Sequence, residues 1–350
     1  MEIAAPQPLV SVVVLNYNGA QWIKRCLESL REQTIFPQIE VIVADNCSTD
    51  GSDKLAESIL REWTGGRFIQ HGVNLGFCEG NNRAASAATG EYLFFLNNDT
   101  WLEPACLERL VNDTRAFGAA ASTPLVLNYD ADSVQLVFGV GFDLFGLPTF
   151  AQVAAPLADL FMPPGCSYLI QAKLFRALGG FDREIFLYCD ELDLSWRVWL
   201  SGHKCAGIQT ARMHHRWAAN ENPKGGEQIV EMRTSDSKRF YANRNSMFVL
   251  LKNTQWLWAI LVPLQLFLFG LEGLVGWILL RRWGFFKRSY LDAVADCWRL
   301  RGHIRAERRR IRQFRRRGDV WMLRFLRWRL NRWDEIQRMR RFGVPKVTPR

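Results

Sequence analysis

The run Val10-Ser-Val-Val-Val-Leu15 is apolar on both faces of any strand it forms, so it demands cover above and below. No other feature constrains the chain as much, because the pattern returns. Residues 39–44 repeat it, 68–70 give a short third strand and 92–96 a fourth. Between these runs, Trp22, Ile23, Cys26, Leu27 and Leu30 recur at helical spacing, and 52–63 read as helix. Residues 81–89 read as a small-residue helix ended by Gly90. Alternating strand and helix predict an α/β fold whose mostly parallel sheet carries helices on both faces. Ligands of such sheets sit beyond the strand carboxyl ends. Three polar clusters, 16–19, 45–51 and 97–100, fall at those ends, a coincidence that packing alone rarely produces.

Further along, 101–117 read as helix and 118–165 as irregular strands and loops with several Gly and Pro. Residues 237–252 read as an amphipathic helix. With 350 residues and 48% apolar content, the chain has room for a large domain and an appendage, and disorder throughout is excluded. The charge is divided. Residues 281–350 hold 23 Lys/Arg against 6 Asp/Glu, whereas 1–280 hold 22 against 29, so the net +10 belongs wholly to the last fifth. From 256 to 280 only Glu272 is charged, a length that suffices to cross a bilayer, although Pro263, Gly270, Gly273 and Gly276 interrupt it. Beyond it, arginines interleave with Trp321, Trp328 and Trp333, which suits amphipathic helices on an anionic lipid surface. Eight scattered cysteines without a C-x-x-C exclude a zinc ribbon and read as buried thiols of a reducing compartment. The first residues lack a basic start followed by an apolar core, so no secretory signal is expected.

Candidate site residues stand at the polar clusters. Asp50 before Gly51 reads as a turn or helix cap. Asp99 follows the most hydrophobic strand of the front half, where a carboxylate can hold a hard divalent cation that neutralises phosphates. Residues 74–82 are a Gly/Asn loop running into a helix, which lets backbone approach a phosphate closely. Asp190, Glu191 and Asp193 lie within four residues, flanked by Phe186, Leu187, Trp196 and Trp199. Solvated acidic helix starts are frequent, yet beside such a wall a carboxylate can be tuned to take a proton. His214 and His215 are ordinary core or surface histidines by default and metal ligands as the alternative.

These residues carry a resemblance. The segments Val12-Val-Val-Leu-Asn-Tyr-Asn-Gly19, Val43-Ala-Asp-Asn-Cys-Ser-Thr-Asp-Gly51, 74–82, 88–99, Gly179-Gly-Phe-Asp182 with 186–197, and 241–245 come in the order of the family 2 glycosyltransferases. The chain resembles that family, with its GT-A fold, over roughly 9–253, and its rhamnosyltransferase-like bacterial branch in particular. The resemblance implies a donor-nucleotide site at Asn16, Tyr17, Asp45, Asn74, Gly76, Gly80 and Asn98. The family's metal motif falls on Asn97-Asn98-Asp99, with Asn in place of the first acid, leaving Asp99 the main ligand of a divalent Mn or Mg ion. His215 is the choice for the family's later histidine, and His214 the alternative. The catalytic acid motif falls on Asp190-Glu191-Leu192-Asp193, placing Glu191 as base with Asp190 as rival and Asp193 beside them. The two leading acids stand in reversed order. Transfer from a nucleoside diphosphate sugar needs charge neutralised on the leaving group and a proton taken from the attacking hydroxyl, with inversion at the anomeric carbon.

The implied organisation is a GT-A catalytic domain over 1–250, an apolar membrane-associated segment over 251–290 and a basic amphipathic helical tail over 291–350. A single crossing would put the tail and the catalytic domain on opposite sides, against the positive-inside rule, and two crossings need about 40 residues. The segment is therefore expected to enter or lie along the cytoplasmic face of the plasma membrane, monotopic or peripheral, which suits a lipid-linked or polysaccharide acceptor. Three rivals are set aside. Nucleic acid as partner is disfavoured by the tail's tryptophans and the adjoining apolar run. An inactive scaffold is opposed by the joint presence of Asp45, Asp99, Glu191 and His215, and a nucleotidyltransferase by the lack of a basic Gly-rich loop after the first strand.

Overall fold

A computed structural model describes residues 7–135, 138–151, 159–216, 233–328, 330–343 and 346–348. The strands are β1 (Val10–Asn16), β2 (Ile39–Asp45), β3 (Gly66–Gln70), β4 (Tyr92–Asn97), β5 (Thr100–Leu102) and β6 (Ala121–Asn128). They continue as β7 (Phe138–Phe142), β8 (Pro148–Ala151), β9 (Ser167–Gln171), β10 (Cys205–His215), β11 (Arg233–Ser235) and β12 (Lys346–Thr348). The helices are α1 (Ile23–Arg31), α2 (Ser52–Leu60), α3 (Gly76–Ser86), α4 (Cys106–Ala116), α5 (Ala172–Ala177), α6 (Asp190–Leu200) and α7 (Asp236–Asn253). After them come α8 (Trp258–Leu280), α9 (Trp283–Phe286), α10 (Ala293–Arg299), α11 (Arg301–Phe314), α12 (Asp319–Met322) and α13 (Asn331–Phe342). The chain forms two compact units that cut across its linear order. The first draws on 1–138, 152–186 and 203–217, the second on 139–151, 187–202 and 218–350.

The first unit is built on an eight-stranded sheet of order β3-β2-β1-β4-β9-β6-β10-β5. Its first four strands are mutually parallel, β9 runs antiparallel to β4 and β6, and β10 returns parallel to β6. This mixed α/β sheet agrees with the GT-A expectation. The apolar runs are buried as their composition requires: Val10, Val12, Val13 and Val14 are fully buried, as are Val43 and Phe94. The core under one face gathers Ile23, Leu27 and Leu30 of α1 and Leu107, Leu110 and Val111 of α4.

Two boundaries differ from the sequence reading. Residues 101–117 do not form one helix, because β5 pairs with β10 before α4 begins at Cys106. Nor is 74–80 a loop before a helix: α3 starts at Gly76, five residues ahead of the expected Asn81. Glycine's weak helix preference hid this start, and close approach explains both glycines. A Cβ at Gly76, whose φ is +75°, would lie 2.5 Å from the Phe186 ring and 2.6 Å from its carbonyl oxygen. A Cβ at Gly80 would lie 2.8 Å from Leu15. Gly76→Ala is expected to destabilise the first unit by about 1–3 kcal/mol, since backbone strain and a clash with backbone act together. Urea unfolding measures it, and an unchanged midpoint would refute this packing.

The second unit contains the apolar segment. α8 is the one helix among the described residues that is long and apolar enough to cross a membrane by length and composition. One side is tied down: Leu261, Val262, Gln265, Phe269 and Gly273 are buried, and Glu272 pairs with Arg332 at 2.8 Å. The other side presents Ile260, Leu264, Phe267, Leu271, Leu274 and Ile278, an exposed stripe at spacings of three and four. In the basic tail, α11 buries one side within this unit. Ile304 and Ile311 are buried, and Arg308 donates to the carbonyls of Leu251 (2.5 Å), Thr254 (2.7 Å) and Gln255 (2.9 Å). Arginines that look like a surface strip thus close the carboxyl end of α7.

Candidate active site

In the first unit, parallel register sets Asn16 beside Asp45 and Leu15 beside Asn97. The three polar clusters therefore meet at one sheet edge. Asn16 is fully buried and donates to Asp45 (2.8 Å), Ser52 (2.8 Å) and Ser48 (3.2 Å), while its Oδ1 accepts from Asn98 Nδ2 at 2.8 Å. Asp45 is buried and accepts from Asn16, the Ser48 hydroxyl (2.6 Å), the Ser48 amide (2.8 Å) and Gln70 (2.9 Å). Burial alone would raise its pKa, but bonds from Ser48, Gln70 and Asn16 hold it below the ordinary carboxylate value. Asp45, expected in the donor-nucleotide site, is the carboxylate that organises this loop cluster. Tyr17, by contrast, is 52% exposed at the same edge. Asn74 Oδ1 accepts from the Gly76 amide at 2.9 Å and so fixes the entry to α3. Asp50 closes a turn, accepting from the Ser52 amide and hydroxyl and from the Ala20 amide.

Asp99 and His215 are joined by topology. β5 pairs antiparallel with β10, setting His215 opposite Thr100, and the Arg216 amide donates to the Asp99 carbonyl at 2.9 Å. His215 Nε2 lies 3.4 Å from Asp99 Oδ1. Its Nδ1 donates to Gln135 Oε1 at 3.0 Å, and Gln135 Nε2 donates back to the His215 carbonyl at 2.6 Å. That amide fixes the ring's rotation. Burial alone would lower the His215 pKa, but the Cys166 sulfur and the Asp99 carboxylate raise it to about 10. Burial likewise works to raise Asp99, and the His215 charge outweighs it, holding Asp99 below its ordinary value. An imidazole anchored through Nδ1 with Nε2 turned to a carboxylate is the donor set that suits a borderline-to-hard divalent ion. The residues present fit such an ion.

His214 faces the other way. It stacks on Trp101 with ring centroids 3.7 Å apart, and its Nδ1 meets the Asn128 carbonyl at 2.9 Å. Its Nε2 is 3.6 Å from Glu103, and Glu103, Asp132 and His214 could together receive a cation. Arg212 already stands there, 3.3 Å from Glu103 and 3.6 Å from Asp132, so the cluster carries its own counter-charge.

In the second unit, the acid cluster opens α6. Two consecutive non-glycine residues, Tyr188 (φ 68°) and Cys189 (φ 63°), hold left-handed backbone just before it, a strain of about 1–3 kcal/mol each. Asn245 restrains them, donating from Nδ2 to the carbonyls of Leu187 (2.8 Å) and Tyr188 (2.9 Å). Asp190 is buried and Glu191 half-buried. Burial, and then the neighbouring Glu191, push Asp190 well above the ordinary carboxylate range, and burial also raises Glu191. The two acids share a hydrogen bond, so they titrate as a pair that retains a proton to higher pH than a free carboxylate. Asp193, expected beside them among the catalytic acids, has a different setting. It is fully buried and accepts from Arg197 Nε (3.0 Å) and Nη2 (2.6 Å), Lys252 Nζ (2.7 Å) and Asn253 Nδ2 (2.9 Å). The bonds from Lys252 and Asn253 tie α6 to α7.

Sequence reasoning missed Gln135, which sits in the stretch read as irregular and carries no local signal. It also gave Asn245 no role, although that residue lies in a quoted motif.

Comparison with known proteins shows what the chain is similar to. Residues 11–179, a little under half of the chain, match the model of Glycosyl transferase family 2. The O-antigen biosynthesis protein RfbC of Myxococcus xanthus is 27% identical over 231 residues, 61% of this chain and 18% of that protein. The chain spans less than half the length of the curated relatives it matches. Among solved structures, S. aureus TarS 1-349 in complex with UDP-GlcNAc has a TM-score of 0.57 at 15% identity, covering 87% of this chain and 90% of that one. GalNAc-T7 with UDP, GalNAc and Mn2+ has a TM-score of 0.58 at 16% identity, covering 70% of this chain and 48% of that one. At these identities the likeness is one of fold.

Proposed function

We propose that the protein is an inverting, metal-dependent glycosyltransferase. It transfers rhamnose or another hexose from a nucleoside diphosphate donor to a hydroxyl of a lipid-linked or polysaccharide acceptor, at the cytoplasmic face of a membrane. One observation carries the reading: β5–β10 pairing brings Asp99 to within 3.4 Å of His215, two residues that a family 2 domain would need together and that lie 116 positions apart. TarS with its UDP-GlcNAc and GalNAc-T7 with its Mn2+ support the donor class and the metal, and RfbC supports polysaccharide synthesis.

Asp99 and His215 would hold Mn or Mg, and the ion when bound neutralises charge on the departing diphosphate. Tyr17, Asn98 and the ordered Asn16–Asp45 cluster receive the nucleotide, with Asn74, Gly76 and Gly80 shaping the start of α3. Glu191 takes the proton of the attacking hydroxyl, and the raised pair pKa keeps its partner Asp190 protonated and donating to it. The exposed stripe on α8 and the exposed Trp256, Trp283 and Trp298 support seating on a membrane surface rather than crossing it.

A thermal-shift panel tests the donor site on detergent-purified protein, using UDP, dTDP, GDP and CDP with and without Mn2+ or Mg2+. One nucleotide at about 100 times its Kd is expected to add about 2.7 kcal/mol, and only with metal. Asp99→Asn is expected to abolish the metal dependence. No shift with any nucleotide defeats the enzyme reading in favour of an inactive membrane scaffold.

A further inference from the structure

The second unit holds a polar cleft of about 90 Å³ lined by Lys252, Thr254, Gln255, Arg308, Arg312 and Arg315. Its charges do not balance. The four cations face two carboxylates, Asp319, 3.9 Å from Arg315, and Asp193, 2.7 Å from Lys252 but shared with Arg197 at 2.6 Å, so positive charge is in excess among the described residues. Nor do its donors. Arg308 and Arg315 turn part of their guanidinium groups to carbonyls at the end of α7, but Arg315 Nε is buried with no acceptor. Arg312, one helical turn beyond Arg308, is exposed at the cleft and has no acceptor among the described residues. Asp319 offers no relief, since its oxygens already accept from the amides of Gln255 (2.9 and 2.8 Å), Trp256 (2.7 Å) and Leu257 (2.8 Å). Burial and the charge of Arg312 lower the pKa of Arg308, and burial with the charges of Arg308 and Arg312 lowers that of Arg315.

We infer that this cleft is a phosphate-binding site, with Arg312 as its principal ligand and Arg315 Nε and Gln255 beside it. Guanidinium forks match phosphate oxygens in geometry, and the excess of positive charge suits a phosphomonoester or a diphosphate. The place in the fold suggests the source. Thr254 and Gln255 lead directly into α8, and Trp256, Trp258 and Ile260 stand exposed immediately after them. A lipid phosphate would enter the cleft while its chains lay along the apolar stripe. A free phosphate would use the same donors. The site itself is independent of the glycosyltransferase reading, and only a lipid source rests on the membrane part of it.

The test uses the full chain in EDTA, without donor nucleotide, so that the Asp99 region takes no part. Binding is measured to phosphatidylcholine vesicles with and without phosphatidic acid, and separately to inorganic diphosphate by calorimetry. Arg312→Gln is compared with Arg309→Gln, an exposed neighbour on the same helix that removes the same charge away from the cleft. Arg312→Gln is expected to weaken phosphate-dependent binding at least about tenfold and Arg309→Gln less than about twofold. A loss confined to phosphatidic acid vesicles assigns the site to lipid phosphate, and a loss shared with diphosphate assigns it to phosphate at large. Equal losses in both variants, or no phosphate-dependent binding by the unaltered chain, overturn the site. Neither variant touches a buried contact, and unchanged melting points exclude misfolding as the cause.

Discussion

Glu191→Gln is expected to lower sugar transfer at least about 10²-fold while the protein remains folded, because the amide cannot take a proton from the acceptor hydroxyl. The pH dependence makes the assignment specific. Burial raises the pKa of Glu191, and burial with the Glu191 charge raises Asp190 further, so the ionised base forms only above the usual carboxylate range. kcat/KM should therefore climb with pH along an acid limb displaced upward from that range, and the limb should vanish in the variant. The same shift has a stability sign. A carboxyl whose folded pKa is raised favours the native state most below its unfolded pKa, and that contribution is lost as pH rises through the folded value. Asp190→Asn removes the charge penalty, so its melting point at neutral pH should exceed that of the unaltered protein. Full turnover by Glu191→Gln, together with loss in Asp190→Asn, would transfer the base role to Asp190.

The second large effect concerns stability rather than rate. Asp193→Asn leaves Arg197 and Lys252 buried without their shared counter-ion, both at 0% exposure. Removing one member of such a buried set costs about 3–5 kcal/mol, because the stranded charges lose a shared counter-ion in low dielectric. Denaturant unfolding of the second unit should register that loss in midpoint. A variant that kept its midpoint but lost transfer would return Asp193 to the catalytic acids. The measurement thus decides between the role its motif position implies and the role its hydrogen bonds imply.

The sheet was readable because β1, β2 and β4 are apolar on both faces, a pattern with few other solutions. Their polar ends followed from the same reading, and so did the candidate edge. What stayed hidden was long-range. No local pattern announces that Thr100 pairs with His215, since three residues of strand beside a helix look like the helix's own start. The choice between His214 and His215 depends on which side of β10 meets Asp99, and a one-residue shift of register reverses it. Gln135 acts from a segment whose irregular composition gives no period at all. The setting of Asp193 was hidden for a related reason: it stands beside Asp190 and Glu191 in sequence, while its partners Lys252 and Asn253 lie about 60 residues on. In the tail, the net charge was correctly localised, but composition does not reveal which arginines turn inward to free carbonyls.

The Asp319 carboxylate, which gathers three amides at the entry to α8, also sets an order of events during synthesis. It lies 62 residues beyond Leu257. At about 5–20 residues per second, the ribosome needs about 3–12 s to add that stretch. The apolar helix is thus complete, with its leading turn untied, well before its fastening residue exists. In that interval its exposed stripe can adsorb to the first apolar surface it meets, so where the nascent chain is made bears on where the finished protein resides.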